Sequence, residues 1–169
     1  MKKSNCSWQE YSQKKVINPE KLEETVAKLR AKDLTIVTLN GSFDLLHAGH
    51  LYILFEASRV ADVLIVAVNS DRSVKAYKSP HRPIISLPYR IELLTALAFV
   101  DYVTWFDETN PIRTLERIKP DVHVNGAEYG ENCIESAVVR KYGRLHLVDR
   151  IGGLATSEII QTIREKKEI

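Results

Sequence analysis

The sequence predicts an α/β fold built on a doubly wound, five-stranded parallel sheet. Three observations predict it. Apolar runs of strand length alternate along the whole chain with segments whose apolar residues recur at helical spacing. The run Asp62 to Val68 is continuously apolar after its first residue, which suits a strand buried on both faces, as parallel strands are. The strand-like runs are joined through helical segments, so consecutive parallel strands are connected by right-handed crossovers.

Met1 to Ile17 is polar with isolated Trp8 and Tyr11, and is expected to be an N-terminal tail over residues 1–17 that docks by those aromatics. Residues 18–169 are expected to form a single domain. Asn18 offers an N-cap and Pro19 the first helical position, with Leu22, Val26 and Leu29 on one apolar face. Leu34 to Leu39 is the first strand. Leu51, Leu54, Phe55 and Ala57 to Ala61 mark the next helix, and Asp62 to Val68 the second strand. Asn69-Ser70-Asp71 closes that strand, and Lys75 and Lys78 after it are expected on a loop. Ser86 then caps a helix with Pro88 in its first turn and Leu87, Ile91, Leu94 and Ala98 inward, before a third strand from Val100 to Phe106.

Asn110-Pro111 restarts a helix through Ile112, Leu115 and Ile118 that Pro120 ends, and Asp121 to Asn125 is a short fourth strand. A helix from Cys133 to Tyr142 closes at Gly143 in a left-handed cap, and Leu145 to Val148 is the fifth strand. Thr156 or Ser157 caps a last helix, with Ile159, Ile160 and Ile163 inward and Lys166 and Lys167 at its negative end.

Composition narrows the function classes. The 169 residues are 44% apolar, enough for one soluble domain with a substantial core. A net charge of +2, from 24 basic and 22 acidic residues in no like-charged block, speaks against a nucleic-acid partner. Cys6 and Cys133 are too few and too far apart for a disulfide framework or a zinc site, which fits a cytoplasmic protein. No signal peptide and no run of about 18 apolar residues is visible, so no membrane association is expected.

Chemistry concentrates where strands end. Asn40 to His50 reads Asn-Gly-Ser-Phe-Asp-Leu-Leu-His-Ala-Gly-His at a strand-loop-helix junction. His47 and His50 fall on one side of a first helical turn, where free N–H groups and the positive end of the helix dipole favour an anion. Gly49 lets a ligand approach the backbone, and Gly41 permits the tight turn out of the strand. An isolated HxxH pair is ordinarily a metal half-site or two surface imidazoles. Here Asn40, Gly41, Ser42, Phe43 and Asp44 precede it, and a polyphosphate is the better ligand.

Asp71, Lys75 and Lys78 follow the second strand toward the same rim, with His81-Arg82-Pro83 after them, and the lysines are placed to neutralise phosphates. Arg90, one turn into its helix, either reaches the rim or pairs on the surface. Gly126, Glu128 and Tyr129 lie in the turn after the fourth strand, where Gly126 is expected near a base or ribose. Arg150, two glycines, Thr156 and Ser157 open the last helix as a second anion site. Ligands of such sheets bind outside the carboxyl ends of the strands, at the switch in strand order.

The His47-Ala-Gly-His50 constellation resembles the HxGH signature of the nucleotidyltransferase superfamily, whose histidines contact nucleotide phosphates, and a Rossmann-like fold follows from that resemblance. Together with Val-Ala-Val-Asn-Ser-Asp, Lys75, Arg82-Pro83, Arg90, Pro120-Asp121 and Gly126-Ala127-Glu128-Tyr129, the loops look like the adenylyltransferase domain of bacterial ADP-heptose synthesis over about Leu34 to Ile163. Two departures stand out. The family commonly has Lys-Gly-Gly-Asp-Tyr at Asn125 to Tyr129, and a Ser/Thr-Thr pair at Ala155-Thr156-Ser157. No sugar-kinase segment, which some members carry fused, is recognised, so a kinase is expected to be a separate protein.

The resemblance implies transfer of AMP from ATP to a heptose 1-phosphate with release of pyrophosphate, for lipopolysaccharide synthesis. Glycerol-3-phosphate cytidylyltransferase, using CTP, is the rival, and a non-catalytic nucleotide-binding regulator ranks behind both. His47, His50, Lys75 and Arg150 are then expected to be catalytic. Mg2+ is expected to accompany the nucleotide, held largely by phosphate and water, with Asp44 either touching it or fixing the loop. No protein metal ligands are assigned. A homodimer is expected by analogy with the superfamily.

Overall fold

The computed structural model describes residues 6–149, 151 and 155–166. Five strands, β1 (Ile36–Gly41), β2 (Val63–Asn69), β3 (Tyr102–Phe106), β4 (Val122–Gly126) and β5 (Arg144–Val148), form one parallel sheet in the order β3-β2-β1-β4-β5. The chain builds outward from β1 through β2 to β3, then returns to β4 on the other side of β1. The order therefore reverses between β1 and β4, and Asn40-Gly41 and Asn125-Gly126 end on that crevice. This is the doubly wound parallel sheet that the alternation of apolar runs predicts.

Every residue of β2 is buried, as its continuous apolar run requires. On one face Val37, Leu39, Leu64, Val66, Val68 and Val124 pack with Leu54 of α3 (Ala48–Ser58) and Leu94 of α5 (Leu87–Thr95). On the other, Ile36, Val63 and Ile65 meet Leu22, Val26 and Leu29 of α2 (Leu22–Arg30) and Ile118 of α6 (Ile112–Ile118). Asn18 does cap the entry to α2: its Oδ1 accepts from the Glu20 N–H at 3.0 Å over a short 3-10 turn at Pro19–Lys21.

The segment read from sequence as a polar tail is held against this body. Ser7 and Glu10 form a capping box on α1 (Trp8–Gln13). Trp8 Nε1 donates to Glu92 Oε2 at 3.1 Å, Ile17 is buried, and the Ile17 N–H donates to the Val103 carbonyl at 2.9 Å, so the backbone continues alongside β3.

Several expectations need correction. Lys75 is not on a loop: Ser70 Oγ accepts from the Ser73 N–H at 3.1 Å and opens α4 (Asp71–Tyr77), which carries Lys75 and ends at Lys78. Leu51 and Phe55 of α3 face solvent, while Leu54 and Ala57 carry the packing. Ser86 occupies the N-cap of α5 without a side-chain bond, and Ala98 lies beyond the helix end, exposed. The expected Cys133 helix is only one turn, α7 (Ser136–Val139).

Gly143 is not in the left-handed region. Glycine is needed there because a Cβ would sit 2.2 Å from the Asp121 carbonyl oxygen, where β5 begins beside β4. In α8 (Thr156–Glu165) the N-cap is Ala155, whose N–H donates to Glu158 Oε2 at 2.9 Å; Thr156 and Ser157 are the first helical residues. Ile163 is exposed and Ile159 and Ile160 only half-buried. Lys167 lies outside the described residues.

Candidate active site

At the crevice between β1 and β4 the carboxyl ends of the strands open on a cleft of about 610 Å³. Its floor is the Asn40 to His50 junction. Gly41 is not where the chain turns: its φ is ordinary, and the left-handed residue is Phe43, at φ 45°. Gly41 is tightly placed for a different reason, since a Cβ there would come 3.2 Å from the Phe43 ring, which would have to give by a few tenths of an ångström.

Asp44 is fully buried and holds the loop. Its carboxylate accepts from Arg82 Nε and from the N–H groups of Ile84 at 2.7 Å and Ile85 at 2.9 Å. Arg90 is also fully buried, neither at the rim nor on the surface. It donates to the Ser42 carbonyl, to the Ile85 carbonyl at 2.9 Å and to Asp71 Oδ1 at 2.8 Å, and Asp71 also accepts from the Leu87 N–H at 2.8 Å. These two carboxylates and Arg90 tie the junction to the loop after α4 from behind. They position the cleft rather than line it, apart from the guanidinium of Arg82, which does line it.

His47 is the extended N-cap of α3, with no side-chain capping bond, and His50 stands in its first turn. Their rings stack with centroids 3.8 Å apart and planes 27° apart, and Phe43 backs His50 at 5.3 Å. Both histidines and Gly49 line the cleft at the positive end of α3.

The side of the cleft near β2 is cationic. Lys78 Nζ donates to Ser42 Oγ at 2.9 Å, and burial, followed by the charge of Arg82, holds its pKa below the usual lysine range. Arg82 Nη2 is buried and makes no hydrogen bond among the described residues. A buried guanidinium nitrogen without an acceptor is a strong demand for an anion. Lys75 is different in place rather than in exposure: it stands on α4 and is not among the residues lining the cleft.

The side near β4 carries Asn125, Gly126, Glu128, Tyr129 and Glu135. Thr156 and Ser157 at the start of α8 also line the cleft, with Thr156 Oγ1 3.5 Å from the Leu45 carbonyl of the histidine junction. Arg150 and the two glycines after it lie outside the described residues. Asn69, Tyr77, Thr109, Asn110 and Glu135 also line the cleft. Tyr77, Thr109, Asn110 and Glu135 carry no local sequence signal of function, and Asn69 and Arg82 are visible in sequence only as parts of motifs.

No group of three or more His, Cys, Asp or Glu side chains among the described residues is arranged to hold a metal ion, and both oxygens of Asp44 are engaged within the protein.

Comparison with known proteins agrees with this geometry. Residues 38–166 match the cytidylyltransferase-like family model. "Bifunctional protein HldE" of Syntrophotalea carbinolica is 38% identical over 151 residues, covering 88% of this chain and 31% of that protein. The protein of the same name from Campylobacter jejuni subsp. doylei is 42% identical over 145 residues, covering 86% of this chain and 31% of its own length. The chain thus spans about a third of the length of the curated relatives it matches.

Among solved structures, a lipopolysaccharide core biosynthesis protein from Thermoplasma volcanium superposes with a TM-score of 0.56 at 26% identity, covering 70% of this chain and 97% of that one. Pantoate-beta-alanine ligase from Francisella tularensis, at 16% identity and a TM-score of 0.58 over 89% of this chain and 77% of its own, shares the fold. A parallel sheet that reverses at an HxGH junction, matched by a family model over most of its length, makes this chain a member of the cytidylyltransferase-like family of nucleotidyltransferases, with their Rossmann-like fold.

Proposed function

We propose that this chain transfers AMP from ATP to a heptose 1-phosphate, releasing pyrophosphate and forming an ADP-heptose for lipopolysaccharide core synthesis. The observation that carries the reading is the cationic side of the cleft: buried Arg82 Nη2 lacks a hydrogen-bond acceptor among the described residues, and it lines one cleft with Lys78 and with the stacked His47 and His50 at a helix N-terminus. The adenylyl and heptose parts of the reading draw support from the motif resemblance and from the relatives named HldE. Cytoplasmic action and a homodimer belong to the same proposal; among the described residues no helix is long and apolar enough to cross a membrane.

The proposed reaction is a single in-line displacement. An acceptor phosphate oxygen attacks the α-phosphorus, a new P–O bond forms, and the bond from that phosphorus to the oxygen bridging to the β-phosphate breaks, its electron pair leaving with pyrophosphate. No protein nucleophile is needed, so the chain supplies position and charge. His47 and His50 hold the phosphoryl oxygens as negative charge redistributes. Lys78 and Arg82 neutralise donor and acceptor phosphates, and Thr156, Ser157 and Arg150 take the departing end. Lys75, from its exposed place, acts at most on the approach of substrate.

Asp44 fixes the loop, since both its carboxylate oxygens are engaged within the protein. Mg2+ enters as the counter-ion of ATP and is part of the substrate.

The test is pyrophosphate release from ATP and from CTP, each with heptose 1-phosphate and with glycerol 3-phosphate. Release with ATP and heptose 1-phosphate alone is expected. Release only from CTP with glycerol 3-phosphate moves the chain to the cytidylyltransferase branch, and silence with all four pairs leaves a nucleotide-binding regulator.

A further inference from the structure

We propose that Glu135, with Asn40 beside it, is a specificity-determining residue that receives a vicinal diol of the substrate; the proposal rests on the nucleotidyl-transfer reading of the cleft. Glu135 sits just before α7, only 6% exposed, and its carboxylate lines the cleft. Its Oε1 accepts from Asn40 Nδ2 and its Oε2 from Asn125 Nδ2, both at 3.4 Å, the long limit of a hydrogen bond. No Lys or Arg forms an ion pair with it among the described residues.

A buried carboxylate has room for about four hydrogen bonds and is costly when it is left short of donors. Here each oxygen has one weak donor. Asn40 Oδ1 adds to the deficit: it is buried and makes no hydrogen bond among the described residues. Asn40 ends β1 and Asn125 ends β4, the two strands flanking the reversal of the sheet, so these acceptors cluster at the mouth of the crevice.

Such a wall repels phosphate and accepts donors. Two hydroxyls on neighbouring carbons bring two O–H donors at a spacing that one carboxylate spans. The polarity of the cleft agrees, with Lys78 and Arg82 following β2 and the acceptors following β4. A substrate with phosphate at one end and a diol at the other lies across the switch in one direction only. Both substrates of the proposed reaction qualify: the ribose of the nucleotide and the sugar of the acceptor each carry a vicinal diol.

Calorimetric titration of the full chain with ATP, 2′-deoxy-ATP, heptose 1-phosphate and inorganic pyrophosphate separates these cases. Glu135→Gln keeps the shape and removes the charge. It is expected to weaken at least one diol ligand by about tenfold or more, the scale of a hydrogen bond to a charged group, while pyrophosphate binds as before. A loss confined to ATP, with 2′-deoxy-ATP unaffected, assigns the ribose; a loss confined to heptose 1-phosphate assigns the acceptor.

Unchanged binding of both diol ligands, equal loss for pyrophosphate, or no diol ligand binding the unsubstituted chain would each overturn the proposal. Should Glu135→Gln not fold, Asn40→Ala removes the neighbouring acceptor and is read on the same ligands with the same outcomes. A chain that binds the diol ligands through Glu135 yet releases no pyrophosphate refutes the transfer reading and leaves the diol site standing.

Discussion

Lys75 and Lys78 have the same charge and nearly the same place in the sequence, but their surroundings separate them. Both side chains are exposed in part, but Lys78 reaches Ser42 at 2.9 Å on the wall of the cleft, where partial burial lowers its pKa, whereas Lys75 is not among the residues that line the cleft. Lys78→Ala is therefore expected to lower kcat/KM at least tenfold more than Lys75→Ala, measured by pyrophosphate release. The sign of the pH effect follows from the same burial. Lys78 works as the cation, so activity should fall as pH rises through a value below the ordinary lysine pKa of 10.5, and Lys78→Arg should move that alkaline fall upward. The sequence places both lysines near the rim; only packing distinguishes them. Arg90 and Asp71 were legible as polar residues near the site but not as a tie behind it, with Arg90 buried and Asp71 half-buried, because their partners, Ser42, Ile85 and Leu87, come from other turns of the chain.

Elements announced themselves where pattern and packing coincide. β2 is apolar throughout and buried throughout, and Leu22, Val26 and Leu29 point inward as their spacing requires. α4 was missed because Asp71 to Tyr77 offers a single strong apolar anchor, the buried Val74; its cap, Ser70, was the available signal. Gly143 shows the opposite case, a position read correctly as glycine for the wrong reason. No periodicity reveals that the backbone of Asp121 lies 2.2 Å from where a Cβ would be. Gly143→Ala must push β5 away from β4 and is expected to cost about 2 kcal/mol, on the scale of overpacking a tight site, read as a lowered denaturation midpoint with little change in m-value.

On the scale of the whole molecule, one buried imidazole couples the sheet to pH. His123 of β4 is fully buried; its Nδ1 lies 2.8 Å from Thr38 Oγ1 of β1, and burial holds its pKa down at about 4 against an ordinary 6.5. The unfolded chain takes up this proton near pH 6.5 and the folded chain only near 4, so the unfolded state binds more protons between them. The stability contribution is complete above about pH 6.5 and drains away as pH falls toward 4, by about 3 kcal/mol at most. Thermal melts across that window should show Tm falling with acid, and His123→Gln should flatten the slope.

The same strand pair flanks the cleft, and there the central claim is that His47 and His50 stabilise charge during nucleotidyl transfer. The most direct measurement is the turnover of His47→Ala and of His50→Ala for pyrophosphate release from Mg2+-ATP and heptose 1-phosphate, with the fold checked by circular dichroism. Each is expected to lose about 10²-fold or more in kcat, the scale of one preorganised donor. Folded variants that turn over at the rate of the unsubstituted chain would contradict the account and remove the histidines from the chemistry.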